Sequence, residues 1–216
     1  VTSSDPHFYF YRPAEGHDLP RDPLKAIVAP RPIGWISSLS APSATGEQIA
    51  NLAPYSFFNM ICDAPPLVAF ASMGWKDTLA NIQATGEFTC NLAIRSLVDR
   101  LNISAAMHAP EVDEFAAAGL DKAIGTAVSC PRVDASPAAL ECRLADIHRL
   151  RGAGGELAEG WLVIGEVVGV HIARHLLVDG RFDTAAADII QRAGYGGDYA
   201  EVSRSALFTM PRPPKP

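Results

Sequence analysis

What the chain lacks narrows its chemistry before anything else does. Its four cysteines, Cys62, Cys90, Cys130 and Cys142, are spaced too far apart for a zinc knuckle or a C-x-x-C redox pair. They read as reduced, mostly buried thiols of a cytoplasmic protein. No apolar run approaches the roughly 20 residues that cross a bilayer, so no membrane partner is expected. The opening "VTSSDPHFYF" has no basic start followed by an apolar stretch, and no export signal is read there. Lys and Arg never run longer than two, and the formal net charge is −6. A phosphate backbone calls for a basic face, so nucleic acid is not an expected partner.

Several catalytic signatures are missing too. There is no Walker motif and no G-x-S-x-G elbow. His171 and His175 stand four apart, but no Glu completes H-E-x-x-H, so no metal site is expected and the histidines read as surface or core residues. The loop "GAGGELAEG" (152–160) contains G-x-G without the third glycine, and it lies between two strands rather than before a helix. It reads as a hairpin loop, not a dinucleotide fingerprint.

What remains is a globular composition, 48% apolar and 19% charged over 216 residues, which suits a single domain. Residues 1–22 are rich in Pro, Asp and aromatics. They read as an arm lying over the domain and burying Phe8, Tyr9, Phe10 and Tyr11. The domain is expected over 23–205, with a peripheral proline-rich tail at 206–216. Strands are expected in "PIGWISSLSA", in "IANLAPYSFFNMI" with an interruption at Pro54, in "PPLVAFASM" and in "EFTCNLAI". "DTLANIQATG" has helical spacing, with Gly86 where a terminating glycine belongs. Two helical pieces, "SLVDRLNISAAM" and "DEFAAAGL", precede two long extended runs, "AALECRLADIHRL" and "EGWLVIGEVVGVHIARHLLV". The loop "RGAGGELAEG" would join those runs as a hairpin, with Leu140, Cys142, Leu144 and Asp146 alternating against Glu141, Arg143 and Ala145. Without regular βαβ alternation, the order favours a closed antiparallel barrel with added helices over a doubly wound sheet.

One stretch carries chemistry. In "GWKDTLANI" (74–82) a helix starting near Asp77 or Thr78 leaves unpaired N–H groups and a partial positive charge at its start. Lys76 adds a full charge and Thr78 a hydroxyl, a set that suits phosphate. The same residues also make an ordinary helix with Asp77 as its cap. Nearby, Ser37 and Ser38 close a strand. Pro54 cannot donate to a ladder and so marks an edge or a break, where free backbone groups could pair with a flat heteroaromatic ring.

In this order, "RPIGWISS" (31–38), "NLAPYSFFN" (51–59), "DAPPLVAF" (63–70), "KDTLANI" (76–82), "TGEFTCNL" (85–92), "VDEFAAAGL" (112–120), "GEVVGVHI" (165–172) and "RAGYGGDY" (192–199) resemble the flavin reductase-like family. These are the FMN-binding split barrels, and the likeness is greatest to the branch of the nitrilotriacetate monooxygenase reductase component and the flavoredoxin-like proteins. The resemblance spans roughly residues 20–205. It implies a mainly β split barrel with a few added helices, forming a homodimer with FMN near the interface. FAD is the alternative flavin. Carried over by segment, Ser37, Ser38, Asn51, Leu52, Ala53 and Ser56 would line the ring and ribityl chain, with backbone groups of Asn51, Ala53 and Ser56 prominent. Ser72, Lys76, Asp77 and Thr78 would hold the phosphate. Arg31 would reach the flavin or phosphate, and either Tyr195 or Tyr199 would match a family tyrosine. The implied activity is hydride transfer from NADH or NADPH, a transient co-substrate, to the flavin. Electrons would then pass to an acceptor or a partner monooxygenase. Hydride transfer needs no protein acid or base, so no catalytic residue is assigned. The alternatives are a flavin-binding electron carrier without its own turnover, or a split barrel that binds haem or another ligand.

Overall fold

The computed structural model of the chain describes residues 7–213. In chain order the elements are α1 (Leu24–Ile27), β1 (Gly34–Leu39), β2 (Ala50–Tyr55), β3 (Phe58–Asp63), β4 (Pro66–Met73), α2 (Asp77–Thr85), β5 (Glu87–Leu92), α3 (Val98–Ser104) and α4 (Glu114–Ala117). They continue with β6 (Lys122–Ala123), β7 (Arg132–Val133), β8 (Ala138–Arg151), β9 (Leu157–Ile172), β10 (Leu177–Val178), β11 (Arg181–Phe182), β12 (Ile190–Arg192) and β13 (Tyr199–Glu201). Seven strands form one sheet in the order β2-β1-β5-β8-β9-β4-β3, and every pairing is antiparallel. The two edge strands are neighbours in sequence, and Tyr55 of β2 packs on Phe70 of β4 with ring centroids 4.7 Å apart. The sheet therefore curls into the split barrel that the strand order suggested. No helix among the described residues is long and apolar enough to cross a membrane.

Strand alternation sorts the side chains into two cores. Inside the barrel lie Ile36, Tyr55, Val68, Phe70, Phe88, Cys90, Cys142 and Val163, with Leu79 and Ile82 of α2 closing one end. Outside β1 and β2, a second core joins Trp35 and Leu52 to Leu101 of α3 and Phe115 of α4. Trp35 is fully buried there, its Nε1 donating to the Ser104 hydroxyl at 2.9 Å. A Cβ on Gly165 would lie 2.3 Å from the Phe88 ring, so β9 needs glycine at that point for the ring to fill the barrel.

Several sequence expectations change. The run "IANLAPYSFFNMI" is two strands, broken at Ser56–Phe57 rather than at Pro54. Pro54 stays in register opposite Trp35, which β2 tolerates because it is an edge strand. The long hairpin is present, but β8 and β9 take Arg151 and residues 157–160 of the expected loop and leave residues 152–156 between them. β9 ends at Ile172, and Leu177–Val178 pairs with β11 instead. The expected alternation in β8 fails because its register with β9 shifts between Glu141 and Cys142, and both are fully buried. In the arm, Phe8, Tyr9 and Phe10 are exposed rather than buried on the domain. Residues 1–6 of the arm and 214–216 of the tail lie outside the described residues. Leu207, Phe208 and Met210 of the tail are exposed.

Candidate functional site

The site is built at the start of α2. Gly74 turns the chain out of β4 with φ of 81°, its N–H on the Glu159 carbonyl. Lys76 then caps the helix with an extended backbone. Its carbonyl accepts from the N–H groups of Leu79 at 2.9 Å and Ala80 at 3.1 Å. The N–H groups of Asp77 and Thr78 have no acceptor among the described residues. Asp77 was the expected cap. It is instead the first helical residue, and no side chain caps α2 at all. Lys76 is exposed and makes no ion pair among the described residues. The start of α2 is thus two free donors beside an unpaired ammonium.

Behind it sits a buried polar cluster. Thr78 Oγ1 donates to Asn51 Oδ1 at 2.6 Å, Ser38 Oγ donates to the same oxygen at 3.5 Å, and Asn81 Nδ2 donates to Ser38 Oγ at 3.2 Å. The Ser72 hydroxyl donates to the Gly74 carbonyl at 2.9 Å and holds the turn into the helix. The Tyr55 hydroxyl is buried without a hydrogen-bond partner among the described residues. Burial pushes its acidity constant up, while the hydroxyls of Thr78 and Ser72 beside it work the other way. Glu114 of α4 reaches the other side of β2 and accepts from the Leu52 N–H at 3.2 Å. Burial raises the Glu114 carboxyl above its usual range, against the hydrogen bonds from backbone N–H groups and from Asn51.

The expected site residues fall into separate groups. Ser38, Asn51, Ser72, Lys76, Asp77 and Thr78 come together at the start of α2. Ser37 does not join them. It lies on the opposite face of β1, donating to the Pro131 carbonyl at 2.5 Å and accepting from Asn91 Nδ2 at 3.2 Å. Leu52 is fully buried and its N–H belongs to Glu114. Since backbone groups alternate sides along a strand, those of Asn51 and Ala53 point to β1 and serve the ladder. That leaves Asn51 its side chain as its main offering. Ser56 sits half-buried in the β2–β3 link, its hydroxyl making no hydrogen bond among the described residues. Arg31 is buried, its guanidinium donating to the carbonyls of Lys25 and of Val28, the latter at 2.5 Å, with its Nε unpartnered. Its guanidinium also lies 6.0 Å from the Phe57 ring, next to Ser56. Tyr195 faces Arg21 at 5.9 Å, and Tyr199 stacks on Arg192 at 4.6 Å. Neither tyrosine is tied to the α2 cluster. Tyr55, Asn81 and Glu114 belong to the site but were not among the expected site residues, although each lies in one of the segments that carry the family likeness.

A model of the flavin reductase like domain matches residues 28–186, which is most of the chain. The chain belongs to the flavin reductase-like family. A Deinococcus radiodurans relative, described only as an uncharacterized protein, is 38% identical over 187 residues, covering 82% of this chain and 78% of that one. Among solved structures, nitrilotriacetate monooxygenase component B from Bacillus cereus superposes on this flavin reductase-like chain with a TM-score of 0.79 at 28% identity, over 97% of this chain and 98% of that one. The 2-nitrobenzoate 2-nitroreductase NbaA of Pseudomonas fluorescens gives 0.73, also at 28% identity, over 87% and 88% of the two chains.

Proposed function

We propose that this flavin reductase-like protein binds FMN with its phosphate at the start of α2, and that it is an NAD(P)H:flavin oxidoreductase. The observation that carries the phosphate end is the pair of free N–H groups of Asp77 and Thr78 beside unpaired Lys76. Oriented N–H groups and a cation at a helix start are what a phosphate needs. The buried, unpartnered Tyr55 hydroxyl next to Ser72 and Thr78 supports the fit, because such a group is costly unless something completes it. The Thr78 hydroxyl, unlike its backbone N–H, is not a direct phosphate donor. Its hydroxyl fixes Asn51, so the amide is presented in one orientation. Ser56, Ser38 and the Asn51 side chain would line the ring side, and Asp77 must keep its carboxylate turned from the phosphate.

When bound, the flavin supplies the redox chemistry, accepting a hydride from NADH or NADPH and passing electrons to an acceptor or an oxygenase partner. The chain's own contribution is to hold and orient it and to exclude water. Exposed Phe57, Met60, Val170 and Ile172 support a homodimer. So does an apolar cleft of about 250 Å³ lined by Ile33, Phe58, Leu140, Val170, Ile172 and Phe182. An exposed apolar surface of this kind is normally covered by a partner.

The test is to purify the protein, identify any released chromophore, and mix the FMN-loaded protein with NADH or NADPH without oxygen. Bleaching of the flavin's visible band with one nucleotide oxidised per bound flavin is expected, followed by multiple turnovers once excess free FMN is added as the electron acceptor. A loaded protein that stays oxidised with both nucleotides is a carrier and overturns the reductase reading. A protein that ignores FMN and FAD in titration overturns the site.

A further inference from the structure

A second cleft is lined by none of the residues gathered at the start of α2. It has a volume of about 390 Å³ and is lined by Arg132 and Asp134 of the β7–β8 segment, by Ser136 and Pro137, and by His171 and His175 around the end of β9. Its polar groups are unusually idle. Among the described residues Arg132 makes no ion pair or hydrogen bond from its guanidinium, and its buried Nε has no partner. His175 is exposed and has no hydrogen-bond partner among the described residues. Asp134 forms no ion pair with Arg132. The Ser136 hydroxyl is committed to the carbonyls of Leu92 at 3.0 Å and Ala138 at 2.9 Å, and His171 is committed as well. Its Nε2 lies 2.5 Å from the Oε1 of fully buried Glu141. Glu141 is itself held by backbone N–H groups of Thr126 at 2.6 Å, of Ala127, and of Val128 at 3.1 Å. A carboxylate with that many donors does not move, so the His171 ring is locked and the edge carrying Nδ1 is the one left over.

We propose that this cleft is a binding site for a small, singly charged carboxylate. Arg132 would be the bidentate anchor and His175 a second donor, with His171 as a rigid polar wall. The guanidinium fork matches a carboxylate, and a buried Nε without an acceptor is satisfied when one arrives. Asp134 on the same lining disfavours a doubly charged anion by like-charge repulsion. Pro137 and Ala173 supply apolar wall for a short hydrocarbon tail. None of these residues belongs to the α2 cluster, so the two sites fail or stand independently.

The experiment titrates the full chain with sodium acetate, exchanged for sodium chloride at constant ionic strength, and follows the imidazole NMR resonances of His171 and His175. Saturating shifts of both rings are expected. Arg132→Gln should weaken acetate by about tenfold or more, Arg132→Lys by less, and neither should change FMN affinity. Exposed His175→Ala, which does not threaten the fold, should weaken acetate by about threefold. Shifts that drift without saturating, an acetate affinity unchanged in His175→Ala and in whichever Arg132 variant folds, or an Arg132–Asp134 pair that keeps acetate out all overturn the proposal. Phosphate that binds more tightly than acetate overturns the assignment to a singly charged carboxylate.

Discussion

The Thr78 hydroxyl donates to Asn51 Oδ1 at 2.6 Å, and both residues are buried. This bond ties the first turn of α2 to the edge strand β2 and fixes which way the Asn51 amide faces. Thr78→Val keeps the shape and removes the donor, leaving a buried amide oxygen with only the long bond from Ser38. Urea unfolding should show a loss of about 1–2 kcal/mol, and FMN affinity should fall with it. Thr78→Ser should restore most of both, and a serine variant no better than valine would refute the positioning role.

Lys76 is exposed, so Lys76→Ala should leave the unfolding midpoint nearly unchanged. FMN affinity, read by quenching of flavin fluorescence, should fall about tenfold, with a weaker dependence on salt than the parent protein. Riboflavin, which has no phosphate, should bind both proteins alike. A variant that discriminates against riboflavin as strongly as against FMN would remove Lys76 from the phosphate end.

Glu141 predicts an acid limb. Burial alone would raise its carboxyl, but the Thr126 N–H, His171 and the Ala127 N–H outweigh that and hold it below the usual range. A carboxyl lowered in the fold adds stability above its unfolded value, about 4.3, and that stability is lost as pH falls through the folded value. Glu141→Gln should cost about 2–3 kcal/mol at neutral pH, because an amide presents N–H to N–H. The gap between parent and variant should close as the buffer is made acidic. A gap independent of pH would mean that the carboxylate charge contributes nothing.

Gly165→Ala should destabilise by about 1–3 kcal/mol, since its Cβ would sit 2.3 Å from the Phe88 ring in the filled barrel. Adding Phe88→Leu should recover part of that loss. Thermal melts of the two single variants and the double variant decide it: strict additivity would show that the two sites do not share the space.

Of the four thiols, only half-buried Cys62 should react with an alkylating reagent in the native protein. Burial pushes Cys130 up to about 12, and burial together with neighbouring Cys142 pushes Cys90 well above a normal thiol. Mass spectrometry after brief labelling should find a single adduct, with three more appearing in urea. Native labelling at Cys130 or Cys90 would contradict the packing of the barrel.

Much of the fold was legible because local patterns survive folding. Strand runs of β-branched and aromatic residues, the helical spacing of Leu79 and Ile82, and Gly86 at φ 73° all act within a few residues of chain. The start of α2 was legible for the same reason: free N–H groups and Lys76 are neighbours in sequence. The break at Ser56–Phe57 was not, because Pro54 is compatible with a strand once that strand is an edge, and edge position is a property of the sheet. The alternation expected around Glu141 failed for a similar reason, since a register shift between β8 and β9 depends on two strands and not on one.

By itself the sequence determined most of the barrel strands and the main helices, the antiparallel barrel class, and a family likeness carried by eight short segments. Only the tertiary structure decided which polar groups are spent and which are free. It set Ser37 against Asn91 on one face of β1 and Ser38 against Asn51 on the other, and it took the Leu52 N–H for Glu114. It left Tyr55 buried without a partner. Hydrogen-bond partners tens of residues apart are chosen by strand register and helix docking, and no local pattern encodes that choice.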